Sequence, residues 1–151
     1  MKIVELRTGK SEVCRDLLEA LPQWFGLKDA REVYINNADH QVMLACLKEN
    51  KAVGMLCLQH HSKWNIEITV MGVLPAAHRN GIGTALIDVA IEHARKADAK
   101  LLSVKTISSK SPDPHYKNTR AFYCSTGFEL FEELPTFWDE HNPCAIYVRP
   151  I

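Results

Sequence analysis

Between residues 64 and 107 the hydrophobic period changes twice, and no other stretch limits the fold so sharply. Trp64 to Leu74 alternates: Ile66, Ile68 and Val70 point one way, and Glu67, Thr69 and Met71 the other. Pro75 ends that strand. From Gly81 to Ala97 the spacing becomes helical, with Ile82, Ala85, Leu86, Val89, Ala90, Ala94 and Ala97 on one stripe. Glu92 and Lys96 are spaced as an i,i+4 pair on its polar side. Leu101 to Ile107 reads as a strand again. A strand–helix–strand crossover joins parallel strands, so the chain falls in the α/β class.

The flanking elements are weaker but readable. Lys2–Arg7 suggests a short strand. Ser11 can cap a helix running to about Leu21, with Val13, Leu17, Leu18 and Leu21 on one face. Pro22 and Gly26 break it, and a second helix is expected from Lys28 to about Asn37. Val42–Leu47 and Ala52–Gln59, around a turn at Asn50-Lys51, suggest a hairpin. Tyr116 to about Thr126 reads as a helix stopped by Gly127. Phe128–Phe131 and Ala145–Val148 are the last expected strands. The order is βααβββαβαββ.

A chain of 151 residues is expected to form one domain, 1–151. Lys and Arg number 18 and so do Asp and Glu, which argues against a general nucleic-acid binder and a polybasic membrane-surface protein. That balance hides a basic middle: residues 67–128 carry eight basic and five acidic side chains, and residues 129–151 one and five. No apolar run is long enough to span a bilayer, and the start, Met1-Lys2-Ile3-Val4-Glu5, does not read as a signal peptide. Cys14, Cys46, Cys57, Cys124 and Cys144 are odd in number and contain no C-x-x-C pair. They are expected to be buried, inert thiols of a reduced, cytoplasmic protein.

The chemistry lies where the strand turns into the helix, at Val73-Leu74-Pro75-Ala76-Ala77-His78-Arg79-Asn80-Gly81-Ile82-Gly83-Thr84. The first turn of a helix leaves four N–H groups without partners, and its dipole adds about half a positive charge there. Glycines let a bulky anion approach the bare backbone. Together these make a phosphate cradle of main chain. Two known cradles do not fit: Gly83 is followed by Thr84-Ala85 rather than Lys-Ser/Thr, and Leu86 stands where a dinucleotide fingerprint has its third glycine. A helix start that merely needs small residues for packing is the plainer alternative.

The segment resembles the GNAT superfamily of acyl-CoA-dependent N-acyltransferases. Its signature, Arg/Gln-x-x-Gly-x-Gly/Ala, is matched by His78-Arg79-Asn80-Gly81-Ile82-Gly83, with His78 departing at the first position and Arg79 standing next to it. Thr119-Arg120-Ala121-Phe122-Tyr123-Cys124-Ser125-Thr126-Gly127-Phe128 is similar to the family's late helix. The resemblance implies a mostly antiparallel central sheet flanked by helices, with one splayed parallel strand pair that grips pantetheine. It implies that acetyl-CoA is held by Val73 and by His78, Arg79, Asn80, Gly81, Ile82, Gly83 and Thr84. The family's pantetheine-contacting Asn is replaced by Tyr116, and Asn118 lies nearby but out of register. Homodimer formation is a further implication by analogy.

Amide formation from a thioester must deprotonate the amine, polarise the carbonyl and stabilise the leaving thiolate. At pH 7 only about one lysine-like amine in 2,500 is neutral, a deficit of about 4.6 kcal/mol. A carboxylate acting directly or through water relieves part of it. Glu67, the sole acid in the strand before the glycine loop, occupies the place where the family often has that base. A solvent-facing strand residue is the plainer reading, and His60, His61, His78 and His115 are rival bases. Tyr123 sits where the family has its general acid, and a core aromatic is the alternative, as expected for Phe122. The resemblance gives carbonyl polarisation to a backbone N–H near Val73, and Gly72 is consistent with a bulge there. Trp24, Phe25, Trp64, Phe137 and Trp138 could line an acceptor pocket, although core packing or a dimer contact is the simpler expectation. Glu129, Glu132, Glu133, Asp139 and Glu140 could attract a cationic amine or form a solvated face. Cys57, His60 and His61 are a weak metal set, because adjacent strand residues point to opposite faces, so no metal is expected. The leading expectation is an acetyl-CoA-dependent N-acetyltransferase acting on a primary amine in a ternary complex. A non-catalytic acyl-CoA-binding regulatory module is the alternative, and a zinc-binding interaction domain the third.

Overall fold

The computed structural model describes residues 1–151. Its elements are β1 (Lys2–Leu6), α1 (Lys10–Glu19), α2 (Lys28–Ala38), β2 (Val42–Lys48), β3 (Lys51–His60), β4 (Asn65–Val73), α3 (Ile82–Lys96), β5 (Leu101–Ile107), α4 (Pro114–Ser125), β6 (Glu129–Asp139) and β7 (Asn142–Pro150), with a 3-10 turn at Pro75–Ala77. The order is the one that the sequence periods imply. The strands form a seven-stranded sheet in the order β1-β2-β3-β4-β5-β7-β6. It is mostly antiparallel, and the parallel pair is β4 and β5, the two that α3 connects. Residues form two compact units, 1–59 with 68–93 and 60–67 with 94–151.

In the first unit, Cys14, Leu17 and Leu18 of α1 and Ile35 and Ala38 of α2 pack with Met43, Ala45, Met55, Cys57 and Val70 of the strands. Arg15 joins the two helices by a two-pronged bond to Glu32, at 2.7 and 2.9 Å. The guanidinium holds the Glu32 carboxyl below its usual range. The expected Ser11 cap is not what starts α1. Gly9 occupies the N-cap position at φ 68°, and Ser11 is already in the helix, its N–H donating to Asp39 Oδ1 at 3.2 Å. Leu21 lies past the helix end at Ala20 and is still buried. The β2–β3 turn falls at Glu49-Asn50, both with positive φ (54° and 63°), so two residues reverse the chain in the hand that suits strand twist. Gly72 answers to packing: a Cβ there would stand 2.8 Å from Leu21 Cδ1.

The second unit is built on the antiparallel pairs β5–β7 and β7–β6. The sequence shows only the cores of the last two strands. β6 keeps pairing through two register shifts, after Leu130 and after Leu134, so its alternation is broken and most of its side chains are exposed. Asp139 closes the turn, its Oδ1 accepting from the N–H groups of His141 and Asn142. Asp113 caps α4 by accepting from His115 N–H at 2.8 Å, so the helix starts at Pro114, two residues earlier than the sequence pattern implies. Ala97 lies beyond α3 and is exposed.

Three packing expectations are overturned. Trp64, Phe137 and Trp138 are exposed, not core. Phe122 is only half-buried, while its neighbour Tyr123 is buried. Cys124, in α4, is exposed, whereas the other four thiols are buried.

Two consequences can be measured. Gly127 holds φ 94°, and a Cβ there would stand 2.6 Å from Arg149 Nε. Gly127→Ala therefore lowers unfolding stability by about 1–3 kcal/mol in a denaturant titration. Burial pushes the Cys14 thiol up to about 12 and raises Cys57 and Cys144 as well, so these three hold even less thiolate than free cysteine. Iodoacetamide at pH 8, read by mass spectrometry of the native protein, modifies Cys124 first and only that site at short times.

Candidate active site

In the first unit, β4 ends at Val73 and the 3-10 turn leads to His78. Arg79 (φ 65°) and Gly81 (φ 75°) take left-handed conformations, and α3 begins at Ile82. Ala85 N–H donates to Gly81 O at 3.0 Å and closes the first turn. The N–H groups of Ile82, Gly83 and Thr84 precede that bond and point out of the helix start. Buried Ile82 anchors the turn, while His78, Arg79, Asn80, Gly81 and Thr84 are exposed. A Cβ at Gly81 would meet nothing within 4 Å, so the approach is open and the glycine answers to its φ. Free backbone donors, a helix dipole and an exposed arginine suit a pyrophosphate such as that of coenzyme A.

His78, the departure from the signature, has a place of its own. Its Nε2 bonds Val73 O at 2.7 Å, and its ring stands edge-on to Trp24 at 6.1 Å. It ties the loop back to the strand end and leaves the cationic place to Arg79. Beside Val73, the Leu74 N–H is already donated to Val53 O at 2.9 Å.

The second unit holds the candidate acid and base residues. Glu67 is buried, so the solvent-facing reading fails. Its two oxygens are both engaged: His61 Nε2 lies 2.6 Å from Oε1, and Lys105 Nζ lies 2.9 Å from Oε2. Lys105 also stands over the Phe137 ring, 5.4 Å from its centre. Burying a carboxylate without partners is costly, and two cationic or N–H donors offset that cost. Lys105 went unnoticed in the sequence because β5 reads as an ordinary strand. The signal available was a lone lysine on the strand that pairs in parallel with the strand carrying Glu67.

Tyr123 is 6 % exposed near the end of α4, its ring 5.5 Å from those of Phe122 and Phe128. Arg120, one turn earlier, donates to the carbonyls of Ile107 and Ser108 at 2.7 and 3.2 Å and so fastens α4 to the end of β5. Tyr116 is half-buried and Asn118 exposed on the same helix. His60 is exposed and His115 half-buried. No group of three or more His, Cys, Asp or Glu gathers as a metal set.

The profile of the acetyltransferase (GNAT) family matches residues 11–128, well over half the chain. An aminoalkylphosphonate N-acetyltransferase of Salmonella typhimurium is 33% identical over 93 residues, which cover 58% of this chain and 60% of that protein. A GNAT-family chain from Desulfovibrio desulfuricans superposes with a TM-score of 0.85 at 17% identity, over 99% of this chain and 98% of that one. An aminoglycoside 6'-N-acetyltransferase solved with coenzyme A superposes with a TM-score of 0.78 at 15% identity, over 99% and 97%. At those identities the structural likeness is one of fold. Matched along most of its length by the family profile, the chain belongs to the acetyltransferase (GNAT) family.

Proposed function

We propose that residues 1–151 act as one N-acetyltransferase domain that moves the acetyl group of acetyl-CoA to a primary amine by direct attack in a ternary complex. The observation that carries this reading is the open helix start at Gly81–Thr84 in a chain of this family. Acetyl-CoA supplies the activated acetyl group as a thioester. The N–H groups of Ile82, Gly83 and Thr84, with Arg79 and Asn80 beside them, bind its pyrophosphate, and His78 holds the loop in shape. Tyr116 and Asn118 are the α4 residues offered to the pantetheine arm, and the backbone at Val73 is offered to the carbonyl.

In this reading Glu67 serves the removal of the amine's proton and Tyr123 is the general acid. A phenol of pKa about 10 carries its proton at neutral pH. The neutral amine forms the new C–N bond, the C–S bond breaks, and the Tyr123 hydroxyl gives its proton to sulfur. The proton then shed by the amide nitrogen restores the tyrosine hydroxyl. The amine's first proton leaves to solvent. Small amines are the acceptor class to screen first, aminoalkylphosphonates and aminoglycosides among them, since those are what the similar proteins are named for. No helix is long and apolar enough to cross a membrane. A cytoplasmic location and a homodimer complete the reading, the first resting on the five free cysteines and the second on the family analogy.

Titration calorimetry with acetyl-CoA, beside adenosine diphosphate and NAD, tests the cradle, and selective micromolar binding is the expected result. Tyr123→Phe is expected to lower kcat about 100-fold or more with acetyl-CoA binding kept. Unchanged turnover removes Tyr123 from the chemistry. Binding without turnover of any amine favours the non-catalytic acyl-CoA-binding module.

A further inference from the structure

Resting on the acetyltransferase reading, we infer that the atom receiving the amine's proton is Nδ1 of His61, with Glu67 and Lys105 as the residues that position it. The inference starts from exposure. The Glu67 side chain is 11% exposed and that of His61 46%, so an incoming amine meets the imidazole more readily than the carboxylate. The ring is held from behind: Nε2 lies 2.6 Å from Glu67 Oε1. A carboxylate only accepts, so Nε2 carries the hydrogen and the lone pair falls on Nδ1.

The backbone beneath is fixed as well. His61 N–H donates to Asn65 O at 3.0 Å, and Ser62 Oγ accepts from the N–H groups of Trp64 and Asn65. Asn65 Oδ1 in turn accepts from Ser103 Oγ at 2.7 Å.

The partners of Glu67 decide where the proton goes. If Glu67 took it, Lys105 would lose its counter-charge at 2.9 Å, and the His61 bond would lose its ionised acceptor. If His61 takes it, the imidazolium faces a carboxylate, and a hydrogen bond with one ionised partner becomes one with two. The arrangement is that of a carboxylate–histidine dyad, in which the carboxylate sets the tautomer and steadies the cation. The balance is simple: the ammonium loses one proton, Nδ1 gains it, and His61 later passes it to solvent.

Two readings test this together. Nitrogen NMR of the imidazole in wild-type protein, at about pH 8.5 where free imidazole is neutral, should show hydrogen on Nε2 and none on Nδ1. The opposite tautomer overturns the inference whatever the enzyme does. In steady-state assays, His61→Ala should lower kcat about 100-fold or more with acetyl-CoA binding unchanged, and added imidazole should restore part of the rate. Glu67→Gln should lower kcat too, with no response to imidazole. Full activity of His61→Ala, or a loss that imidazole does not relieve, overturns the base role alone. Absence of turnover in wild type with every amine overturns the acetyltransferase reading and the base role with it.

Discussion

Parallel pairing of β4 and β5 governs the rest of the fold. Two parallel strands cannot be joined by a tight turn, so the chain must leave the end of β4, cross back, and re-enter beside it. The crossing element is α3, which buries Ile82, Leu86, Ile87, Ala90, Ile91 and Ala94 along its length. One result follows from the direction of the chain: the start of the crossover helix comes just after the end of the first strand. The unpaired N–H groups of that helix start are then set by topology, before any side chain is chosen. Gly81 and Arg79, both at positive φ, make the sharp entry.

This is also why so much of the molecule was legible in the sequence. The periods that mark β4, α3 and β5 are local, and each reports the face that its element buries. The shape of the glycine loop was legible because a glycine between strand and helix marks a sharp entry, and Gly81 does take a positive φ there. Residues whose roles depend on distant partners were not legible. Ser11 has the residue type of a cap, but Gly9 reaches the left-handed conformation two positions earlier and takes the place. Trp64 and Phe137 have the apolarity of core residues, yet they lie on the surface against lysine ammoniums: Lys63 and Lys100 at Trp64, and Lys105 at Phe137.

Glu67 shows the same limit at the site itself. Alternation along β4 correctly sends its side chain away from Ile66 and Ile68, but alternation does not say whether that second face is wet. It is covered, and a covered carboxylate must have partners. Desolvating it costs several kcal/mol, while each hydrogen bond to a charged group returns about 1.5–3 kcal/mol. Two such bonds, from His61 and Lys105, are of the size needed to hold it. Placing an acid at 67 therefore requires partners for it, whatever chemistry it serves.

That requirement narrows the chemistry. A carboxylate whose two oxygens are both bonded to donors is well placed to hold a charge and badly placed to give one up. Its electrostatic effect passes outward through the partner that reaches solvent, and of the two partners His61 is the more exposed, at 46% against 27% for Lys105. Lys105 is held under Phe137 and carries no lone pair while charged, so it cannot accept a proton. Imidazole can accept on one nitrogen while donating on the other, which makes it the one group in this cluster able to connect the buried charge to an incoming amine. The burial of Glu67 thus leaves its partner His61 as the group through which this cluster meets solvent.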